Sequence, residues 1–316
     1  MKKLRSTDKA ESVRLNSAPE IAVAGDLVTV VIVNYNAGEL LIDCVKSIID
    51  RASEVIIVDN ASTDSSMEAC EQFFRGEEKL ASICNDVNFG FSAACNQGIL
   101  AGQCNNFLFL NPDCTLGVGV LDELLTCLRA DARVGMVGGL LVNRDGSEQA
   151  GGRRAIPTPW RSFVRAFGLS HLSRFWPRLF SDFYLHEQPL PSEPIEVEAI
   201  SGACMLVKRE TIEDVGVWDE GYFLHCEDLD WCMRLQQKEW KIMFVPTAPI
   251  THALGVCSKK RKVFVEWHKH KGMIRFYNKF FRKEYPGPLM GLVVLGVALR
   301  FIFVAGYFTV QRLRGL

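Results

Sequence analysis

The chain lacks most of the short signatures that identify common enzyme classes. Its eleven cysteines are scattered singly and no C-x-x-C pair occurs, which removes zinc-ribbon and thioredoxin readings. Most, such as Cys44, Cys95 and Cys204, sit in apolar contexts and read as small core residues of a protein from a reducing compartment. No G-x-G-x-x-G follows the first expected strand, where the text is NYNAGEL, and Gly117-x-Gly119 has no third glycine in place; a hydride-transfer enzyme is therefore not supported. G-x-x-x-x-G-K-[ST] and G-x-S-x-G are absent as well, which removes P-loop NTPases and weakens a hydrolase. A net charge of −1 argues against a general nucleic-acid binder. The opening MKKLRSTDKAESVRLNSAPE has no apolar stretch and is no signal peptide; residues 1–26 read as a flexible leader.

What the chain does have is length and apolar content: 316 residues, 48% hydrophobic, enough for one large α/β domain with appendages. VTVVIVN, EVIIVD, LASIC, NNFLFLNPD and VGMVGGLLV are short β-branched or apolar runs and read as buried strands. Between them lie segments of helical period: residues near Glu39 to Asp50, then STDSSMEACEQFF, NFGFSAACNQGILAG and LGVGVLDELLTCLRA. Strands alternating with helices predict βαβ units and a mostly parallel sheet. Right-handed crossovers collect the carboxyl ends of the strands on one edge, where ligands of open α/β sheets bind.

Residues 150–195 break this rhythm with Pro, Arg and aromatics and read as a mobile excursion over the site. VEAISGACMLVKRE then predicts a strand pair or bent strand, EDLDWCMRLQQK a helix and KIMFVP a closing strand. Between Lys259 and Lys283 there are ten Lys or Arg and one Glu, which suits either an acidic partner surface or a solvated helix face. Pro288 to Val310 is apolar apart from Arg300 and a few small polar residues. A helix of this length spans a bilayer core, and Arg300 there requires a partner or a route to the headgroups. Packing against the protein is the alternative.

The candidate chemistry is carboxylate chemistry. Asp59 ends a strand, where it either accepts the N3–H of a uracil or thymine ring or caps the helix beginning near Asp64; Ser62 and Thr63 are alternative caps. Asp113 ends another strand in NPD, a common turn signal and also a position for Mg²⁺ or Mn²⁺ beside a diphosphate. Glu227, Asp228 and Asp230 crowd one helix start, where the dipole favours acids. Asp230 and Arg234 are spaced to pair on the surface. Adjacent helical residues differ by about 100°, so only one of Glu227 and Asp228 faces the site as a general base. His252 follows the last strand, as a structural histidine or a metal ligand.

Taken in order, VTVVIVNYNAGELL, EVIIVDNASTD, NDVNFGFSAACNQGI, FLFLNPD, SGACMLVKRETIEDVGVWDEGYFLHCEDLDWCMR and the later His252 resemble family 2 glycosyltransferases of GT-A fold, in particular the bacterial rhamnosyltransferase-like branch. The resemblance covers roughly Val28 to Lys283. It implies an α/β GT-A catalytic domain over 27–257, with 150–195 as an acceptor-side insertion, and a basic helix plus a membrane-associating helix over 258–316. It further implies inverting transfer from a nucleotide-sugar, dTDP-L-rhamnose or a UDP-hexose, to a polyprenyl-diphosphate-linked acceptor in cell-surface polysaccharide synthesis. The place implied is the cytoplasmic face of the inner membrane. Tyr35, Asp59, Asn88, Gly90 and Asp113 would bind the donor, Asp228 would be the catalytic base, Glu227 would lie on the acceptor side, and Asp113 with His252 would hold the metal. The first acid of the family's D-x-D motif is Asn111 here, which favours the rhamnosyltransferase-like branch and removes a charge from the metal site. His225 stands where an aromatic is common. A sugar-nucleotide nucleotidyltransferase would need a Gly-rich activating loop after the first strand, which NYNAGELL lacks; a non-catalytic membrane scaffold would have no use for the three acids.

Overall fold

The computed structural model describes residues 2–5, 27–253 and 261–314. In chain order the strands are β1 (Lys2–Arg5), β2 (Val28–Asn34), β3 (Glu54–Asp59), β4 (Leu80–Cys84), β5 (Asn106–Leu110), β6 (Cys114–Leu116), β7 (Val134–Val142), β8 (Arg153–Arg154), β9 (Ile195–Glu196), β10 (Ala199–Ile200), β11 (Cys204–Lys208) and β12 (Lys241–His252). The helices are α1 (Leu40–Ile48), α2 (Ser66–Phe73), α3 (Phe91–Ala101), α4 (Val120–Arg129), α5 (Pro159–Ala166), α6 (Pro177–Phe180), α7 (Arg209–Val215), α8 (Glu227–Gln237), α9 (Lys262–Phe280) and α10 (Gly287–Leu313). Of the expected leader, Lys2–Arg5 runs as a strand beside β4, and residues 6–26 lie outside the described residues, as do Lys259 and Lys260 of the basic run.

The main sheet has the order β1-β4-β3-β2-β5-β11-β7-β12-β6, with β9 added to β12. β4, β3, β2 and β5 pair in parallel, as the βαβ rhythm requires. β11 enters antiparallel between β5 and β7, so the far half of the sheet is mixed. The expected bent strand through SGACM resolves into β10, paired with β8 in a separate two-stranded sheet, and β11 in the main sheet.

Every residue of β2 is buried, and the strands sort their side chains by parity onto the two faces. Val28, Val30, Ile32, Val55, Ile57, Leu108 and Leu110 join one core with α1 and α4. Val31, Val33, Ile56, Val58, Phe107 and Phe109 join the other with α3, α8 and α9. Each such Val, Ile, Leu or Phe contributes about 1.5–3 kcal/mol by leaving water, so the three-layer sandwich is the only arrangement that buries both sets. The ten described cysteines are free thiols, all buried except Cys84, in keeping with their reading as core residues.

α9 is tied to this body by charge. Lys279 Nζ donates to Asp219 at 2.7 Å and to Asp230 at 2.6 Å, and Arg275 donates to both oxygens of Asp219 at 2.8 and 2.9 Å. Burial pushes the Asp219 carboxyl up, yet its bonds to Lys279 and Arg275 prevail and hold it at about 2. The expectation of a surface Asp230–Arg234 pair is corrected: the Asp230 side chain is fully buried and bonds Arg234 Nε at 2.7 Å. Part of the basic run is thus spent on the protein's own carboxylates, while Lys271, Arg282 and Lys283 are exposed as well. Gly272 lets α9 approach closely, since a Cβ there would come 2.7 Å from the His225 carbonyl oxygen.

α10 is 27 residues long and apolar enough to cross a membrane, and only 11% of its most apolar window is buried. Arg300, the one cation within the apolar run, turns towards α9, with Nη1 3.3 Å from His270 Nε2. Trp267 of α9 packs on Phe301 with ring centroids 5.3 Å apart.

Candidate active site

The ends of β3, β2 and β5 lie side by side on the carboxyl edge of the sheet, and a polar network fills the gap behind them. Asn34, the last residue of β2, donates from Nδ2 to Asp59 Oδ1 at 2.7 Å and to Ser66 Oγ at 2.9 Å. The other Asp59 oxygen accepts the Ser62 amide at 3.0 Å. The expectation that Ser62 or Thr63 caps α2 and leaves Asp59 free is corrected: Asp64 accepts the Ser66 amide at 3.1 Å, and Asp59 is held by neutral donors. It keeps a 7% exposed edge.

Asn60 carries the network onward. Its Nδ2 donates to Asn88 Oδ1 and to the Gly90 carbonyl, both at 3.0 Å, and its Oδ1 accepts the Phe89 amide at 3.0 Å. Gly90 opens α3 at φ 91°, a conformation side chains resist, and a Cβ there would meet the Phe223 carbonyl oxygen at 2.7 Å. Asp59, Asn88 and Gly90 therefore share one rim, with half-buried Tyr35 following β2 beside it.

Asp113 lies past the end of β5, in the turn closed by the Cys114 amide on the Asn111 carbonyl at 3.0 Å. β6 pairs with the end of β12, His252 opposite Cys114, which brings His252 Nε2 to 3.2 Å from Asp113 Oδ1. On its far side His252 Nδ1 is 2.9 Å from Gln149 Oε1. An amide oxygen only accepts, so Nδ1 carries a proton; in the neutral ring Nε2 then turns a lone pair towards Asp113, and in the protonated ring it donates there. A lone pair and a carboxylate meeting in a buried place call for a cation between them, and a carboxylate with an imidazole is a donor set that Mg²⁺ or Mn²⁺ accepts. Cys114 is within reach of the pair, but its thiol donates to the Ala203 carbonyl and is better placed as packing.

Glu227 and Asp228 open α8 after two consecutive left-handed residues, His225 at φ 68° and Cys226 at φ 71°. As the helix angle requires, they face different surroundings. Asp228 Oδ2 accepts from Arg154 Nη2 and from the Gly202 amide, and Oδ1 accepts the Leu229 amide at 2.8 Å. Burial opposes its ionisation, but the Arg154 charge and these donors outweigh it and hold the carboxyl below the usual range. Burial and the neighbouring Asp228 charge push Glu227 up, and its Oε2 has no hydrogen-bond partner among the described residues.

A backbone junction connects the two acid sites. The Gly202 amide reaches Asp228, and the Ala203 carbonyl accepts the Asn111 amide at 2.9 Å and the Cys114 thiol at 3.6 Å. Asp113 and Asp228, far apart in the chain, thus flank one turn of SGA. Arg154, Gln149 and Gly202 were not singled out from the sequence. The first two sit at the edge of the aperiodic excursion, where no period points a side chain anywhere; the SGA text before a strand was the available signal for the third. A groove of about 630 Å³ bordered by Asp122, Glu196, Lys241 and Val245 contains none of the expected site residues.

The chain is similar to known proteins in sequence and in fold. The profile of the family described as Glycosyl transferase family 2 matches residues 29–216. The N-acetylglucosaminyl-diphospho-decaprenol L-rhamnosyltransferase of Mycobacterium tuberculosis is 31% identical over 242 residues, 72% of this chain and 76% of that one. The low-salt glycan biosynthesis hexosyltransferase Agl10 of Haloferax volcanii is 24% identical over 230 residues, 69% of this chain and 64% of its own length. Among solved structures, the mannosyltransferase PcManGT of Pyrobaculum calidifontis, in complex with GDP-Man and Mn²⁺, superposes with a TM-score of 0.55 at 17% identity, covering 88% of this chain and 72% of that one. GalNAc-T7 with UDP, GalNAc and Mn²⁺ gives 0.55 at 18% identity, over 72% of this chain and 44% of its own. These two share the GT-A fold with it. The chain is a glycosyltransferase, a member of glycosyltransferase family 2 with a rhamnosyltransferase-like sequence.

Proposed function

We propose that the chain transfers L-rhamnose from dTDP-L-rhamnose, with inversion, to a polyprenyl-diphosphate-linked glycan acceptor during cell-surface polysaccharide synthesis. The observation that carries the catalytic part is the SGA junction, which sets the Asp113–His252 pair and Asp228 on either side of one backbone turn. The sugar and the lipid carrier are supported by the M. tuberculosis relative, whose name specifies both. In this reading the chain acts on the cytoplasmic face of the inner membrane, with α10 as the anchor.

The residues divide the work by charge. Asp59 accepts the base N3–H at its exposed edge while Asn34 and Ser62 keep its carboxylate oriented; Tyr35, Asn88 and Gly90 border the nucleoside. Asp113 and His252 Nε2 hold Mg²⁺ or Mn²⁺, and Gln149 fixes the histidine tautomer. When bound, that cation supplies compensation for the negative charge that gathers on the departing diphosphate. Asp228, ionised at neutral pH, accepts the proton of the acceptor hydroxyl as its oxygen attacks the anomeric carbon from the face opposite the leaving group. Arg154 and the Gly202 amide hold that carboxylate in position. No protein nucleophile is needed for a single displacement. Glu227 lies on the acceptor side.

A donor panel tests this: dTDP-L-rhamnose, UDP-hexoses and GDP-mannose with Mn²⁺ or Mg²⁺ and a polyprenyl-diphosphate-linked N-acetylglucosamine acceptor. Turnover with dTDP-L-rhamnose, lost on chelation, is expected. Turnover only with a UDP-hexose would replace the donor and leave the site assignment standing.

A further inference from the structure

The insertion between β8 and β9 carries a surface that catalysis does not use. Its sequence from Pro159 to Phe180, PWRSFVRAFGLSHLSRFWPRLF, contains Arg161, Arg165, Arg174 and Arg178 and no Asp or Glu. Phe167 is 67% exposed, Phe175 69% and Trp176 56%, with Trp160, Phe163 and Leu179 exposed beside them. The rings pack on one another: Trp160 on Phe163 at 5.5 Å, Phe163 on Phe167 at 4.5 Å and Trp160 on Phe180 at 6.3 Å between centroids. Trp160 Nε1 donates to the Leu179 carbonyl at 2.6 Å, closing α5 onto α6. None of these exposed rings belongs to either core. An aromatic patch of this density on a water-facing surface marks an interaction site.

Three observations identify what covers it. The first is chemical: Trp and Phe interleaved with Arg and free of acids is the composition that seats at the headgroup level of a bilayer. Arg174 and Arg178 are exposed and have no carboxylate partner among the described residues, so both are available to anionic headgroups. The second is continuity: Ser162 Oγ of α5 lies 2.7 Å from the Tyr277 hydroxyl of α9, and α9 carries the apolar α10. The third is position. The patch begins a few residues after Arg154, the partner of Asp228, and the link between them is rigid: Glu198 accepts the Ile156 amide at 2.7 Å and the guanidinium of Arg161, and Thr158 caps α5 at 3.1 Å.

We propose that the aromatic and arginine face of residues 159–180 docks on a phospholipid bilayer with anionic headgroups, a second attachment besides α10, and holds the Asp228 side of the active site at the membrane surface. The proposal rests on the reading that the acceptor is lipid-linked, for which such an orientation would shorten the acceptor's path from the bilayer to the base.

The test uses the full chain in vesicles of phosphatidylcholine and phosphatidylglycerol, with brominated acyl chains as quenchers. Quenching of tryptophan emission that falls in the Trp160→Phe/Trp176→Phe variant is expected, since these rings would sit at the bilayer; Trp218 and Trp231 are buried in the core, and Trp267, half exposed beside Phe301 of α10, gives the quenching that remains. In the Phe167→Ser/Phe175→Ser/Trp176→Ser variant, KM for a vesicle-borne polyprenyl acceptor is expected to rise about tenfold, with kcat on a water-soluble short-chain acceptor unchanged. Quenching that ignores both tryptophan substitutions, together with an unchanged KM, overturns the proposal. So does a mass in solution that halves in the triple variant without quenching in the parent, because a second copy would then cover the face. Failure of the parent to transfer to either acceptor while tryptophan-dependent quenching persists would sink the lipid-acceptor reading and leave the docking surface standing.

Discussion

Around β3 and α3, Asp59 is held by two neutral N–H donors, one on each oxygen, from Asn34 and Ser62. Around α8 and the β5–β6 turn the acids are treated differently. Asp228 has a guanidinium; among the described residues Asp113 has an imidazole nitrogen at 3.2 Å as its side-chain ion-pair partner, and one oxygen of Glu227 has no hydrogen-bond partner. The contrast separates a rim whose acid is held by neutral donors from a rim that depends on charge; in the proposed function the first would present a fixed acceptor to the nucleobase. Asp230, fully buried but matched by both Arg234 and Lys279, shows what a purely structural acid looks like in the same helix. Burial alone therefore does not separate these acids; their compensation does, by two cations at Asp230, by one guanidinium at Asp228 and by no hydrogen-bond partner among the described residues for one oxygen of Glu227.

Breaking the charge-dependent side should cost most. Asp228→Asn keeps the side chain's size and one of its two backbone amide contacts, to Gly202 or to Leu229, but cannot take a proton at neutral pH. Turnover is expected to fall about 10²–10⁴-fold with nucleotide-sugar affinity unchanged, measured by steady-state kinetics beside calorimetry. Normal turnover would remove Asp228 as the base.

Next in size, Gln149→Leu leaves both proposed metal ligands in place and removes the acceptor that sets the His252 tautomer, together with the amide donor to the His252 carbonyl at 2.7 Å. Mn²⁺ affinity should drop about 10–100-fold in a titration of the full chain. An unchanged affinity would mean that His252 does not bind the ion through Nε2.

On the satisfied side, Asp59→Ala takes the acceptor from the Ser62 N–H and leaves the Asn34 amide with only serine hydroxyls. Denaturant unfolding should show a loss of about 1–3 kcal/mol, and nucleotide-dependent thermal stabilisation should vanish. Retained nucleotide protection would break the comparison, since Asp59 would then serve the fold alone.

The smallest effect is expected at Glu227. Its folded-state pKa is raised, so the stability it contributes is present in acid and is lost as pH rises from the ordinary glutamate range through the raised value. Glu227→Gln removes that titration. The variant should match the parent at low pH and melt slightly higher at alkaline pH, by about 1 kcal/mol or less once screening and relaxation are allowed for. Equal melting temperatures across the range would show that Glu227 is compensated in the folded protein.

Much of the donor half was legible in the sequence, because local rules govern it. Continuous apolar runs in VTVVIVN, EVIIVD and FLFL, helical segments between strands, and an acid at a strand end are each read along a single segment. The rest depended on partners that no local period announces. Asp230 and Arg234 were spaced for a surface pair, and only the arrival of α9 with Lys279 buried them. Ser62 and Thr63 were as good caps for α2 as Asp64 until the fold bonded Ser62 to Asp59 and Asn34. Arg154 and Gln149 lie in text without periodicity, so nothing in their neighbourhood aims them at Asp228 or His252.

By itself, then, the amino-acid order determined the alternating layers, the edge on which the acids collect and the apolar character of α10, since each is the sum of short-range preferences and burial. Only the tertiary structure decided which acids are compensated and which are not, because that depends on charges and donors brought together across large sequence separations, such as the 139 residues between Asp113 and His252.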